Sequence, residues 1–241
     1  MISTASKAQL TQQLRDQFQL KDAQRLVRTV ATSVAAFDSL TGGLPQGAIS
    51  EVFGAESSGR TSFMHSALAT LSHTDLCAVI DTADAFDVKT AYQVGARLEN
   101  LLWAKCGSNV PHSLAVAELV LRSGLFSVVV FDLASTPIPE TRKIQQGHWL
   151  RFRRAIENTD TVFLVIGKQS FAQSLAGLVV ELQPDAPEYV TTNSAASNTP
   201  PFCALLQGFK STATQRRPLA IKSPADFRMF LSLKDRLRAP T

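Results

Sequence analysis

Residues 54–61 read Gly-Ala-Glu-Ser-Ser-Gly-Arg-Thr. Gly54 and Gly59, followed by a cation and a hydroxyl, match the spacing of a phosphate-binding loop, Gly-x-x-x-x-Gly-Lys-Ser/Thr, at every position but one. Glycines let successive backbone N–H groups converge on phosphate oxygens, and the helix that follows adds the positive end of its dipole. Glu56, Ser57 and Ser58 fill the turn, Thr61 supplies the hydroxyl, and Arg60 stands where the pattern has lysine. Arginine keeps the charge but replaces a compact ammonium with a planar fork, so it cannot simply sit where a lysine bridges two phosphates.

A loop of this kind needs a strand to deliver it and a helix to leave it. Residues 48–53 are β-prone and residues 60–71 helix-prone, so the local context is the required one. Beyond them the pattern alternates. Strands are predicted at 76–81, 100–106, 127–132 and 161–166, and helices at 88–98, 113–123 and about 140–158. This order implies an α/β fold with a mostly parallel sheet covered on both faces. From residue 177 the regime changes. The β-prone pieces 177–183, 202–212 and 218–222 follow one another without helices and are expected to add antiparallel strands. Residues 184–201, rich in Pro, Ser, Thr, Asn and Ala, read as a mobile loop between the first two.

Each end of the chain carries an amphipathic pattern. Residues 7–26 place Leu10, Leu14 and Phe18 on one narrow stripe, which predicts a helix able to dock on another surface. Ser223-Pro-Ala-Asp226 reads as a helix start, with an N-cap serine, a proline at the first position and an acid at the third. The helix it opens, 224–237, carries Phe227, Phe230 and Leu231, and it is the second candidate for partner docking.

The composition narrows the class. With 241 residues, of which 45% are hydrophobic, the chain is long enough to bury a core and too apolar to be disordered. No apolar run approaches the roughly 20 residues that span a bilayer, and residues 1–20 lack a signal-peptide core, so a cytoplasmic protein is expected. Cys77, Cys106 and Cys203 show no metal-ligand spacing, and neither do the histidines. The net charge of +4 permits contact with nucleic acid. Basic residues cluster at Arg142, Lys143, Arg151, Arg153 and Arg154 with Trp149 and Phe152 among them, and again at Lys210, Arg216, Arg217 and Lys222. Basic plus aromatic is the composition of a single-strand binding surface. The alternative is a helix whose aromatic side chains face the sheet while its arginines are solvated.

At this point the residues carry a resemblance. Thr41-Gly-Gly-Leu-Pro-Gln-Gly47 and Glu51-Val-Phe-Gly-Ala-Glu-Ser-Ser-Gly-Arg-Thr61 resemble the RecA recombinase core, whose loop typically reads Gly-Pro-Glu-Ser-Ser-Gly-Lys-Thr. Segments 80–87, 98–102 and 126–132 fall in the same order and at similar spacing. The resemblance divides the chain into an N-terminal helical segment (1–29), a RecA-like P-loop core with a degenerate nucleotide site (30–183), and C-terminal strands with an amphipathic helix (184–241). Length and degeneracy make the chain most similar to the ImuA group, RecA-related accessory proteins of inducible mutagenic translesion synthesis.

The resemblance implies roles residue by residue. Asp132 and Thr61 stand where the family supports magnesium. Ala83 stands where the family has its water-activating glutamate, with Asp84 one residue off. Thr90 replaces the tyrosine that stacks on adenine, and Lys168 replaces the glutamine that senses the γ-phosphate. Four departures in one site imply no catalytic residues, no metal site and little or no ATP hydrolysis, with ATP and magnesium held weakly if at all. The two loops that hold DNA in the family are also short here, at 136–147 and 169–177. The implied role is an adaptor whose partners are an ImuB-like Y-family polymerase homologue and an error-prone replicative-type polymerase, and more remotely RecA itself and DNA. A divergent DNA-dependent ATPase, with Arg60 and Asp84 in a rearranged site, is the alternative. A regulator resembling the SulA division inhibitors stands third.

Overall fold

The computed structural model describes residues 28–191, 204–218 and 225–230. Its centre is an eight-stranded sheet in the order β10-β9-β8-β3-β7-β6-β4-β5. The strand that delivers the loop, β3 (Ile49–Gly54), lies in the interior of this sheet, parallel to both β7 (Val162–Gly167) and β8 (Ala176–Thr191). Beyond β7 the parallel set continues through β6 (Val128–Asp132) and β4 (Cys77–Asp81) to β5 (Leu101–Lys105) at the edge. On the other side, β9 (Ala204–Arg217) and β10 (Ala225–Phe230) add antiparallel. A short ribbon of β1 (Thr29–Val30) and β2 (Leu44–Pro45) stands apart.

The central strands are apolar throughout because each face meets a layer of helices. Val128, Val130, Leu164, Ile166 and Val180 point to one face, under α1 (Ala35–Thr41) and α2 (Arg60–Leu71), which contribute Phe37, Phe63, Met64 and Leu68. Val129, Phe131, Phe163 and Val165 point to the other, under α4 (Val110–Ser123) and α6 (Gln146–Ile156), which contribute Leu114, Ala117, Trp149, Phe152 and Ile156. Two further helices, α3 (Val88–Val94) and α5 (Ile138–Thr141), complete the set. Side-chain caps set two of the starts. Asn109 accepts from the His112 N–H at 3.0 Å to begin α4, and Asp87 accepts from the Lys89 N–H at 2.9 Å to begin α3. Among the described residues no helix is long and apolar enough to cross a membrane.

The structure departs from the sequence expectations in four places. The helix expected over about 140–158 is two helices, α5 and α6, with Ile144 turned into the core between them. Helix α1, which the periodicity misses, is held by Asp38, whose carboxylate accepts from Thr32 N–H and Ser33 N–H. Residues 184–191, read as loop, belong to β8. Past Leu182 this strand has left β3 and pairs with β9 alone, so Pro184 and Pro187 sit beside register shifts on an open edge where a missing N–H costs no ladder bond. The remainder of the expected loop, 192–203, lies outside the described residues.

The fourth departure is at the C-terminus. Residues 225–230 form β10, not the first turns of a helix. Ala225, Phe227 and Met229 alternate with Asp226 and Arg228, a period of two, and the strand closes the exposed edge of β9 from Ala225↔Ala213 to Phe230↔Gly208. Phe227 and Phe230 are therefore strand positions, while Leu231 and the rest of the expected helix lie outside the described residues. So do residues 7–26 with Leu10, Leu14 and Phe18.

Candidate nucleotide site

The loop has the backbone of a phosphate cradle. Gly54 ends β3 so close to its neighbours that a Cβ there would meet the Leu182 carbonyl oxygen at 2.1 Å. Ser57 takes a left-handed φ of 61° and Gly59 one of 88°, and the chain then enters α2, whose first turn closes with Phe63 N–H on Gly59 O at 2.8 Å. Ser58 is buried, and its N–H bonds to Ala55 O at 3.2 Å. Glu56, Ser57 and Thr61 are exposed on the loop and the first turn of the helix.

The cation does not face outward from this cradle. Arg60 is only 6% exposed, and its guanidinium donates through Nη1 to the carbonyl oxygen of Gly167 at 2.6 Å, at the end of β7. Burial pulls its pKa down, against the pull of Asp132 and Glu56. The next residue, Lys168, sends Nζ to Glu56 Oε1 at 3.2 Å. Two links therefore run from the end of β7 to the loop, one buried and one at the surface. Asp132 stands close enough to Arg60 to feel its charge. It is buried, accepts from Ala134 N–H at 2.8 Å, and is pushed up to about 6, chiefly by burial and further by Asp81, with Arg60 acting in the opposite direction.

The acids of the turn after β4 are engaged with backbone and indole donors. Asp81, fully buried, accepts from Ala85 N–H and Phe86 N–H at 2.9 Å and from Trp103 Nε1 at 3.1 Å. Asp84, in the left-handed region with φ 55°, accepts from Gly107 N–H at 3.0 Å, on the side toward β5. Asp87 caps α3 and also accepts from Thr90 Oγ1 at 2.5 Å, so Thr90 is part of a cap and offers no ring to a base. Ala83 carries no acid. Among the described residues of this turn, none presents a carboxylate unengaged by donors.

Glu51, which sequence reasoning passes over, organises the other wall. It is 1% exposed on β3 and accepts from Ser170 Oγ at 2.5 Å and from Phe171 N–H and Ala172 N–H at 2.7 Å each. Phe171 in turn stacks on Trp149 at 6.1 Å between ring centroids, and its carbonyl accepts from Gln146 Nε2. The loop after β7 is thus tied to β3, to α6 and, through Gly167, to Arg60. A lone acid inside the run Ile-Ser-Glu-Val-Phe was the sequence signal for this anchor.

The basic clusters divide. Trp149 and Phe152 are packed under the sheet, away from Arg151, Arg153 and Arg154, which are exposed on the opposite side of α6, where Arg151 Nη2 meets His148 Nδ1 at 2.7 Å. Arg151 shares Glu118 with Arg122, and Lys143 pairs with Glu140; Arg142 is exposed nearby. On β9, Lys210 pairs with Asp185, Arg216 with Glu181, and Arg217 donates to Ser174 O. The alternative in which the aromatic residues serve the core is the arrangement found. The backbone of the loop suits a phosphate group; around it Arg60 donates to Gly167 O, and each acid of residues 81–87 accepts from a donor.

Comparison with known proteins adds the following. The family model described as the RecA N-terminal domain matches residues 14–147. The protein RecA 2 of Myxococcus xanthus is 32% identical over 119 residues, which is 48% of this chain and 33% of that protein. RecA of Blastochloris viridis is 33% identical over 116 residues, covering 47% of this chain and 33% of its own length. RecA of Acinetobacter baumannii (strain ATCC 17978) is 33% identical over 148 residues, 57% of this chain and 42% of that protein. The chain therefore spans between a third and about two fifths of the length of these curated relatives.

Proposed function

This chain belongs to the family of the RecA N-terminal domain, and on that premise we propose that it is a RecA-like adaptor of DNA-damage-induced mutagenic translesion synthesis, one that binds partner proteins and hydrolyses little or no ATP. The observation that carries the reading is the engagement of every acid between residues 81 and 87. Asp81 holds Ala85, Phe86 and Trp103, Asp84 holds Gly107, and Asp87 caps α3. Phosphoryl transfer to water depends on a group that orients the attacking water and on cations aimed at the phosphates. Here the position expected for the first is Ala83, and the cation of the loop is turned to a carbonyl.

The partner classes follow from the likeness to the ImuA group: an ImuB-like Y-family polymerase homologue and an error-prone replicative-type polymerase. Steady-state hydrolysis of Mg-ATP, with and without single-stranded DNA, tests the catalytic half of the proposal. The expected rate equals that of the Asp132→Ala variant, and DNA-stimulated turnover that Asp132→Ala abolishes would overturn it. Retention of a purified ImuB-like protein on the immobilised chain tests the other half, and absence of retention counts against the adaptor. Retention of Asp132 and Thr61 favours the second reading, a divergent DNA-dependent ATPase, which the same hydrolysis assay separates.

A further inference from the structure

We infer that the nucleotide loop is latched shut by the chain's own cations, so that the protein in its resting form does not take up Mg-ATP. The inference shares the Arg60 contact with the catalytic reading above, but it concerns binding and not turnover, and its test reads binding alone.

Two contacts make the latch, and both run between the loop and the end of β7. The inner one is the bond from Arg60 Nη1 to Gly167 O at 2.6 Å. The guanidinium is nearly buried, it lies in the field of Asp132, and its hydrogen bond is to a carbonyl that has already ended its strand. Swinging that side chain away from β7 toward an incoming phosphate costs a charged hydrogen bond inside the protein. A lysine at this position would carry a single ammonium on a flexible stem, free to swing; the arginine fork is wider and holds its donors in a plane. The outer contact is Lys168 Nζ to Glu56 Oε1 at 3.2 Å, which reaches from the residue after Gly167 to the crest of the loop. Glu56 is largely exposed, so this pair is a weak strap by itself. Its effect is to hold the crest against the same strand end that Arg60 holds from beneath.

The anchor point does not yield. A Cβ on Gly167 would meet the Phe171 ring at 2.3 Å, and the next residues are fastened by Glu51 through Phe171 N–H and Ala172 N–H. Gln146 Nε2 holds Phe171 O from α6. The end of β7 is therefore a fixed post, and the loop is tied to it twice.

The test uses the full chain and Mg-ATP in isothermal titration, comparing wild type with the double variant Arg60→Lys, Lys168→Gln. The double variant frees both contacts and restores the lysine of the loop pattern, and it is expected to bind Mg-ATP at least about tenfold more tightly than wild type. A folded double variant that binds no more tightly than wild type overturns the inference. Hydrogen exchange of wild-type amides 57–63 supplies a readout that does not depend on the variant folding. Exchange unchanged by Mg-ATP is expected, and slowing on addition of Mg-ATP overturns the latch. Hydrolysis is not read in either arm, so failure here leaves the adaptor proposal to its own assay.

Discussion

Replacing Asp132 by asparagine should stabilise the protein at neutral pH. The carboxyl is buried at the end of β6 and its pKa is raised from an ordinary 3.8 to about 6. Between those values the folded chain holds a proton that the unfolded chain has lost, so stability falls as pH rises through this window, and above about pH 6 the whole cost of an ionised buried acid is present. A shift of about two units corresponds to about 3 kcal/mol. Asparagine keeps an oxygen to accept from Ala134 N–H but adds an amide that needs an acceptor, a cost of about 1–2 kcal/mol if it finds none. The net gain at pH 7.5 is then about 1–3 kcal/mol, or a rise in Tm of roughly 3–10 °C for a chain of this length. Thermal unfolding followed by circular dichroism from pH 4.5 to 8 measures it. The gain should shrink steadily as pH falls from 6 toward 3.8, and it is lost only below that ordinary value, where the acid is neutral in the folded and the unfolded chain alike. An Asp132→Asn variant less stable than wild type at pH 7.5, or a difference that does not change with pH, refutes the reasoning.

Three further expectations follow from the same structure. Glu51→Ala should cost about 2–4 kcal/mol in urea unfolding, because it leaves the N–H groups of Phe171 and Ala172 buried without an acceptor; it should also open residues 168–175 to limited proteolysis. Phe152→Ala should cost about 3–5 kcal/mol, while Arg153→Ala and Arg154→Ala together change stability by less than about 0.5 kcal/mol, since the first is core and the others are solvated. Burial lowers the His65 pKa, so the folded chain resists a proton that the unfolded chain accepts; stability should fall as pH drops below about 6.5, and a His65→Gln variant should show a flatter profile between pH 6.5 and 5 in the same thermal assay.

The parallel half of the fold could be read from the chain because its strands are short apolar runs bounded by polar residues; the cap at Asn109 was passed over, and α4 begins at Val110, three residues before the expected start. The loop was legible for the same reason, since its glycines and hydroxyl are local. What escaped was set by distant partners. Ser223-Pro-Ala-Asp226 carries a local helix preference, but the open edge of β9 supplies a row of backbone donors and acceptors that outweighs it, and residues 225–230 pair as a strand. The role of Arg60 is fixed by a carbonyl 107 residues later, and that of Glu51 by N–H groups 120 and 121 residues later. Aspartates 81, 84 and 87 look like spare chemistry in a sequence, and only the structure reveals the backbone amides they hold.

The interior position of β3 also governs the order in which the protein can be made. Its strand partners, β7 and β8, begin at Val162 and Ala176, so the loop strand leaves the ribosome about a hundred residues before anything can pair with it. At roughly 5–20 residues per second that is an interval of about 5–20 s. Strands β4, β5 and β6, by contrast, lie between residues 77 and 132 and can assemble with α4 as soon as they emerge. During synthesis the outer half of the sheet is thus able to form first, while Ile49 and Val52 wait uncovered, and the nascent chain is most exposed to chaperones and to misassociation until residue 182 has been added.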